Sequence, residues 1–314
     1  MTEDSFSRYD RVLEGSDHSR APWEDGKYVP DWDLLQELLA IPVASGQAQT
    51  QQSGAAAKAF DVWIAHELRR AGFPKDAVWP RTRRPRVLPA DLAELESLID
   101  ELSMLVDREE KSKGERLRPA ALRKAIKRLP RALPGRHDAY ILGRFYAKQV
   151  DVAVSAWQRG PDVLVSTKTQ FSSYAKNRSN RYEEALGEAP NLRDRYPLAA
   201  MGFAFLVRSN IYKEAGAFEL LRDLLIRLRR PDGPFDATML LVGEWDDEEL
   251  LLGEIDEPSE HLGAALFFED LLGAAMSNTP ADVHREVRLR QRGEPKGGVP
   301  AGNEDLGEGP AALD

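Results

Sequence analysis

Apolar side chains recur at helical spacing over residues 55–71, where Phe60, Ile64 and Leu68 form a stripe widened by Trp63 and Gly72 follows as a stop. This stretch predicts an amphipathic helix. Leu34, Leu35, Leu38 and Leu39 repeat the pattern in residues 31–41 and predict a short helix laid on the core. Further on, the period changes from helical to alternating. Val150, Val152 and Val154 point one way, and Asp151, Ala153 and Ser155 the other. After a turn signal at Arg159, Gly160, Pro161 and Asp162, Val163 and Val165 alternate with Leu164, Ser166 and Lys168. A helix over 180–186, an apolar strand over 198–207, an amphipathic helix over 218–229 and another apolar strand over 237–242 follow. The order helix, strands, helix, strand, helix, strand predicts a mixed α/β layer fold.

Between these periodic stretches lie segments with little to bury. Residues 1–30 show neither period and 46–54 form a small-residue polar connector, so 1–54 is expected to be an N-terminal extension with one short helix and a mobile linker. Residues 55–291 are expected to form the core, interrupted by a helical insertion at 90–136. Residues 292–314, rich in Gly, Pro and acids, read as a disordered tail. With 314 residues the chain can bury a sizeable core. The absence of cysteine excludes disulfides, thiolate zinc sites and cysteine nucleophiles, and suits a reducing cytosol. No apolar run approaches the roughly 18 residues of a membrane span, so the expectation is a soluble, cytoplasmic protein without membrane contact.

Charge changes the picture through its distribution. A net charge of -9 argues against a nucleic-acid partner unless positive charge gathers where contact occurs. Between Lys111 and Arg136, ten Lys or Arg residues stand against Glu115 alone; that segment carries +9 and leaves -18 on the rest. Arg116, Arg118, Arg123, Lys124, Lys127, Arg128 and Arg131 are therefore candidate DNA contacts, together with Lys176, Arg178 and Arg181. The plainer reading is a solvated helix face. His18, His66, His137, His261 and His284 show no metal-ligand spacing, and there is no Gly-x-Ser-x-Gly elbow, P-loop or Gly-x-Gly-x-x-Gly.

If the turn is the two-residue link Arg159-Gly160, residues facing each other across the hairpin sum to 319. Asp151 then stands opposite Lys168 and Ala153 opposite Ser166, with Cβ atoms about 4.5–5.5 Å apart. A one-residue bulge would change this register.

A helix, an aspartate on a strand, and a hairpin to a strand ending in Ser166-Thr167-Lys168 resembles the core of the PD-(D/E)XK nuclease superfamily, with Ser166 where an acid is usual. Lys168-x-Gln170, followed by Asn-x-x-Asn-Arg-x-Glu183-Glu184-Ala-x-Gly, is similar in wording to type II restriction endonucleases. The likeness spans residues 55–72 and 149–208. It implies a restriction-endonuclease-like mixed sheet flanked by helices and metal-dependent hydrolysis of double-stranded DNA. Mg²⁺, or Mn²⁺ in its place, would be held by Asp151, by Glu183 or Glu184 as a carboxylate supplied from the following helix, and by the Thr167 carbonyl. Lys168 would position the attacking group or stabilise developing charge. Glu67 falls where many family members carry a helical glutamate. Ser166 and Gln170 join the candidates beside their plainer readings as a space-filling and a solvated residue. By analogy the resemblance also implies restriction or antiviral defence, a homodimer and a methyltransferase partner system. The rival expectation is a DNA-binding or scaffold subunit in which the fold survives without hydrolysis, and a third is a protein-interaction module docking through the basic segment.

Overall fold

The computed structural model describes residues 6–44, 54–82, 139–156, 159–245 and 252–294. The chain enters through a short 3₁₀ turn, α1 (Asp10–Gly15), and the two-stranded pair β1 (Trp23–Glu24) and β2 (Lys27–Tyr28). Next come α2 (Trp32–Ala44), α3 (Ala55–Ala71) and β3 (Val78–Trp79). A hairpin of β4 (Ala139–Leu142) and β5 (Ala147–Val150) leads into β6 (Val152–Ala156) and the long β7 (Gly160–Gln170). Then α4 (Tyr174–Arg193), β8 (Ala200–Arg208), α5 (Ala217–Leu228), β9 (Ala237–Trp245), β10 (Leu252–Asp256), α6 (Ala264–Asn278) and α7 (Arg285–Gln291) complete the order.

Six strands form one mixed sheet in the order β10, β9, β8, β7, β6, β3. β7, β8 and β9 run parallel, whereas β6, β3 and β10 pair antiparallel with their neighbours. Strands β8 and β9 are buried along nearly their whole length, as expected for parallel strands covered on both faces. Thr167 bonds Asp61 of α3, and Gly202 lies under Phe267 of α6, so these helices cover one face. Ser166 faces Glu188 of α4 and Thr238 bonds Leu225 of α5, so those helices cover the other. The molecule is thus an α/β mixed sheet flanked by helices, in line with the expectation.

Helix α3 has the bounds its apolar stripe predicts, and Gly72 closes it at φ 114, a left-handed conformation that glycine adopts without Cβ strain. The N-terminal segment departs from expectation. Phe6, Tyr9 and Tyr28 are buried in the core, Phe6 packs edge-on against Trp79, and Tyr9 donates to the Ala55 carbonyl at 2.6 Å. These contacts come from isolated aromatics that no period reveals. Residues 46–53 of the polar connector, the insertion at 90–136 with its basic segment, and the tail from residue 295 lie outside the described residues. Among the described residues, no helix is long and apolar enough to cross a membrane.

Candidate active site

The hairpin forms, with a register different from the simple turn. Val152 pairs with Val165, Ala153 with Leu164 and Val154 with Val163, and beyond an irregularity at Val154/Ser155 the pairing ends at Ala156 and Gly160. Arg159 N donates to the Ala156 carbonyl at 3.2 Å, and Gly160 has φ +78, so the connection is longer than two residues and carries a bulge. Continued by one step, this register sets Asp151 across from Ser166. Lys168 becomes its diagonal neighbour at about 7–8 Å, within reach of a long side chain. The slip is by two residues, so the alternation of faces is kept.

Asp151 sits at a bend between β5 and β6 and is half-buried. Its Oδ2 accepts the Thr167 backbone N–H at 2.9 Å. The Thr167 hydroxyl donates to Oδ1 of Asp61, and Lys58 Nζ lies 3.3 Å from Asp61 Oδ2. Thr167 is therefore clamped between two carboxylates, one from the hairpin and one from α3. Asp61 is 1 % exposed, and burial, together with the like charge of Asp151, holds its carboxyl well above the usual carboxylate range despite Lys58 and the Thr167 hydroxyl.

On the other face, Ser166 Oγ lies 3.4 Å from Oε2 of Glu188, a buried residue of α4 that also pairs with Lys148 of β5. Lys168 is half-buried beside β8, in register with Phe205, and alternation places it on the Ser166 face.

Several sequence candidates fall elsewhere. Glu183 is exposed, five residues and about 140° around α4 from Glu188. The Glu184 side chain lies outside the described residues, as do those of Arg178 and Arg181; Lys176 is exposed. α4 starts at Tyr174 rather than at residue 180, so Glu183 lies well inside the helix. Gln170 is buried rather than solvated, and its amide donates to the Ser172 and Ser173 carbonyls at 3.1 Å, shaping the entry to α4. Glu67 does not join the site. Lying about 9 Å along α3 from Asp61, it accepts from Arg70, from the Tyr28 hydroxyl at 2.8 Å and from the Asp31 amide at 3.0 Å.

Sequence reasoning missed Asp61 and Glu188. Asp61 had a signal, since it is an acid that continues an apolar row with Ala65 and Leu68 at i, i+4, i+7. Glu188 is one turn beyond Glu184 on the same helical face, and only the full length of α4 brings it over Ser166. Among the described residues, the group that gathers three ligand atoms within 4.8 Å is Asp31, His66 and Glu67, apart from Asp151. No family model, curated protein or solved structure matches this chain.

Proposed function

We propose that this protein is a metal-dependent endonuclease acting on double-stranded DNA, built on a PD-(D/E)XK core. The observation that carries the reading is the convergence of Asp151 and Asp61 on Thr167, between Ser166 and Lys168. The order of elements supports it. α3 precedes the antiparallel strands β3, β6 and β7, and α4 then returns the chain to β8, parallel to β7.

The donor set fits Mg²⁺ or Mn²⁺. Asp61, almost fully buried and held above the usual carboxylate range by burial and by the Asp151 charge, suits a neighbouring cation, and hard oxygen donors suit Mg²⁺. Asp151 and Asp61 would hold it, with the Thr167 carbonyl as a further oxygen, while Glu188 on the opposite face of the sheet would brace Ser166 and Lys148. When bound, the ion offsets these negative charges and polarises the scissile phosphate as a Lewis acid. Lys168, a diagonal neighbour of Asp151, directs its ammonium toward charge developing on phosphate oxygens. The Thr167 clamp fixes the carboxylates before substrate arrives.

One observation favours a DNA-binding protein without hydrolysis: Glu188 is already paired with Lys148. Incubating supercoiled plasmid, methylated and unmethylated, with the full chain in Mg²⁺, Mn²⁺ or EDTA separates the two. The nuclease reading expects nicked or linear product in the divalent ions only. A gel shift in EDTA with intact plasmid under every divalent condition would sink it in favour of the binding protein.

A further inference from the structure

His66 of α3 is 1 % exposed, and its Nε2 lies 3.2 Å from Asp31 Oδ2, while its Nδ1 has no hydrogen-bond partner among the described residues. His18, 6 % exposed, packs its ring 4.9 Å from that of His66, and neither of its ring nitrogens has a partner among the described residues. A neutral imidazole carries one N–H and one lone pair. Two adjacent buried rings with three unpartnered nitrogens are therefore an unusual arrangement for a purely structural pair. Beside them Asp31, His66 and Glu67 bring one ligand atom each within 4.8 Å of one another. Asp31 and His66 line a cavity of about 650 Å³ whose wall also carries Asp17, Asp33 and Glu37 against Arg8 and Arg11. The cavity gives a cation an entry path with an excess of negative charge.

We propose that Asp31, His66 and Glu67 hold a divalent first-row transition-metal ion, of which zinc is the type, at the wall of this cavity. Asp31 Oδ2 and His66 Nε2 are the primary ligands, because their 3.2 Å separation is close to the about 3.3 Å edge of a tetrahedron with bonds of about 2.0–2.1 Å. Glu67, fully buried behind the cavity wall, is engaged by Arg70 and Tyr28 and accepts the Asp31 amide at 3.0 Å, so it anchors the Asp31 loop and brings the third ligand atom within 4.8 Å. Imidazole with carboxylate suits zinc, cobalt or manganese in preference to magnesium. On binding, His66 would take the neutral tautomer with its single proton on Nδ1, leaving the Nε2 lone pair for the ion, so no proton need be released. The histidines lie forty-eight residues apart, so spacing in the sequence gives no sign of the site.

The test counts metal on the full chain. The protein is stripped with EDTA and dialysed against Zn²⁺, Co²⁺ or Mg²⁺. Retained ion is measured by elemental mass spectrometry, and Co²⁺ coordination by its visible absorption. The site predicts about one retained Zn²⁺ per chain, a Co²⁺ band in the visible, and no displacement by Mg²⁺. Asp31→Asn, at a partly exposed carboxylate, and His66→Gln should each lower Zn²⁺ affinity at least about 10-fold with the circular dichroism unchanged. Asp151→Asn should leave the retained Zn²⁺ in place, which keeps this site distinct from the proposed nuclease centre. No retained ion, retention unaffected by Asp31→Asn, or loss of the ion in Asp151→Asn would each overturn the assignment.

Discussion

Asp61 is the residue on which the electrostatics of the site turn. Its carboxyl is raised by burial first, with the Asp151 charge adding to the effect, so the folded protein binds that proton more tightly than the unfolded chain does. The linkage follows in sign. Asp61 favours folding while both states are protonated, and its contribution is lost as pH rises from the ordinary carboxylate range toward its raised value. The metal-free protein should thus lose thermal stability over that window, and Asp61→Asn should flatten the loss. Melting curves across the window, with and without Mg²⁺, check this; an unchanged slope in the variant contradicts it. Glu188 and Glu183 provide the complementary comparison. Glu188→Gln should lower DNA cleavage about 10- to 100-fold by releasing Ser166 and Lys148, whereas Glu183→Gln, at an exposed position, should leave the rate unchanged.

At the scale of elements, the β4–β5 hairpin is what aims Asp151 and Lys148. It is fastened to α4 through Asn191, whose Oδ1 accepts the Phe145 amide at 2.9 Å and whose Nδ2 donates to the Tyr146 carbonyl at 3.1 Å. Gly143 makes room for that carboxamide, and a Cβ there would run into it. Gly143→Ala should therefore cost about 1–3 kcal/mol by forfeiting these bonds and slow cleavage by loosening Asp151, as denaturant titration and rate measurement would show. An effect on neither would mean that the hairpin does not position the site.

The same elements show what the sequence makes legible. The bounds of α3 follow from a strong apolar stripe and a glycine stop, and the hairpin follows from alternation around a glycine turn. Its register does not, because the bulge near Ser155 is a backbone feature that side-chain period cannot report. The start of α4 is hidden by low apolar content, which is why Glu183 stood out ahead of Glu188. The burial of Phe6, Tyr9 and Tyr28, and the meeting of Asp31 with His66, depend on tertiary packing between distant segments.

For the whole molecule, an acidic protein can hold DNA only through local positive charge, which the sequence concentrates between Lys111 and Arg136. Replacing Arg123, Lys124, Lys127 and Arg128 with alanine should weaken DNA binding and reduce the log–log salt dependence by about 0.9 for each phosphate contact removed. Fluorescence anisotropy over a salt series reads both, and unchanged binding would assign the segment to another partner. The claim to which everything else is tied is that Asp151 and Lys168 serve one phosphodiester-cleaving centre. Single-turnover cleavage of duplex DNA by the unaltered chain, Asp151→Asn and Lys168→Ala, with melting temperatures taken in parallel, tests it most directly. The account predicts Mg²⁺- or Mn²⁺-dependent cleavage that falls about 10²- to 10⁴-fold in either folded variant; full cleavage by either variant contradicts it.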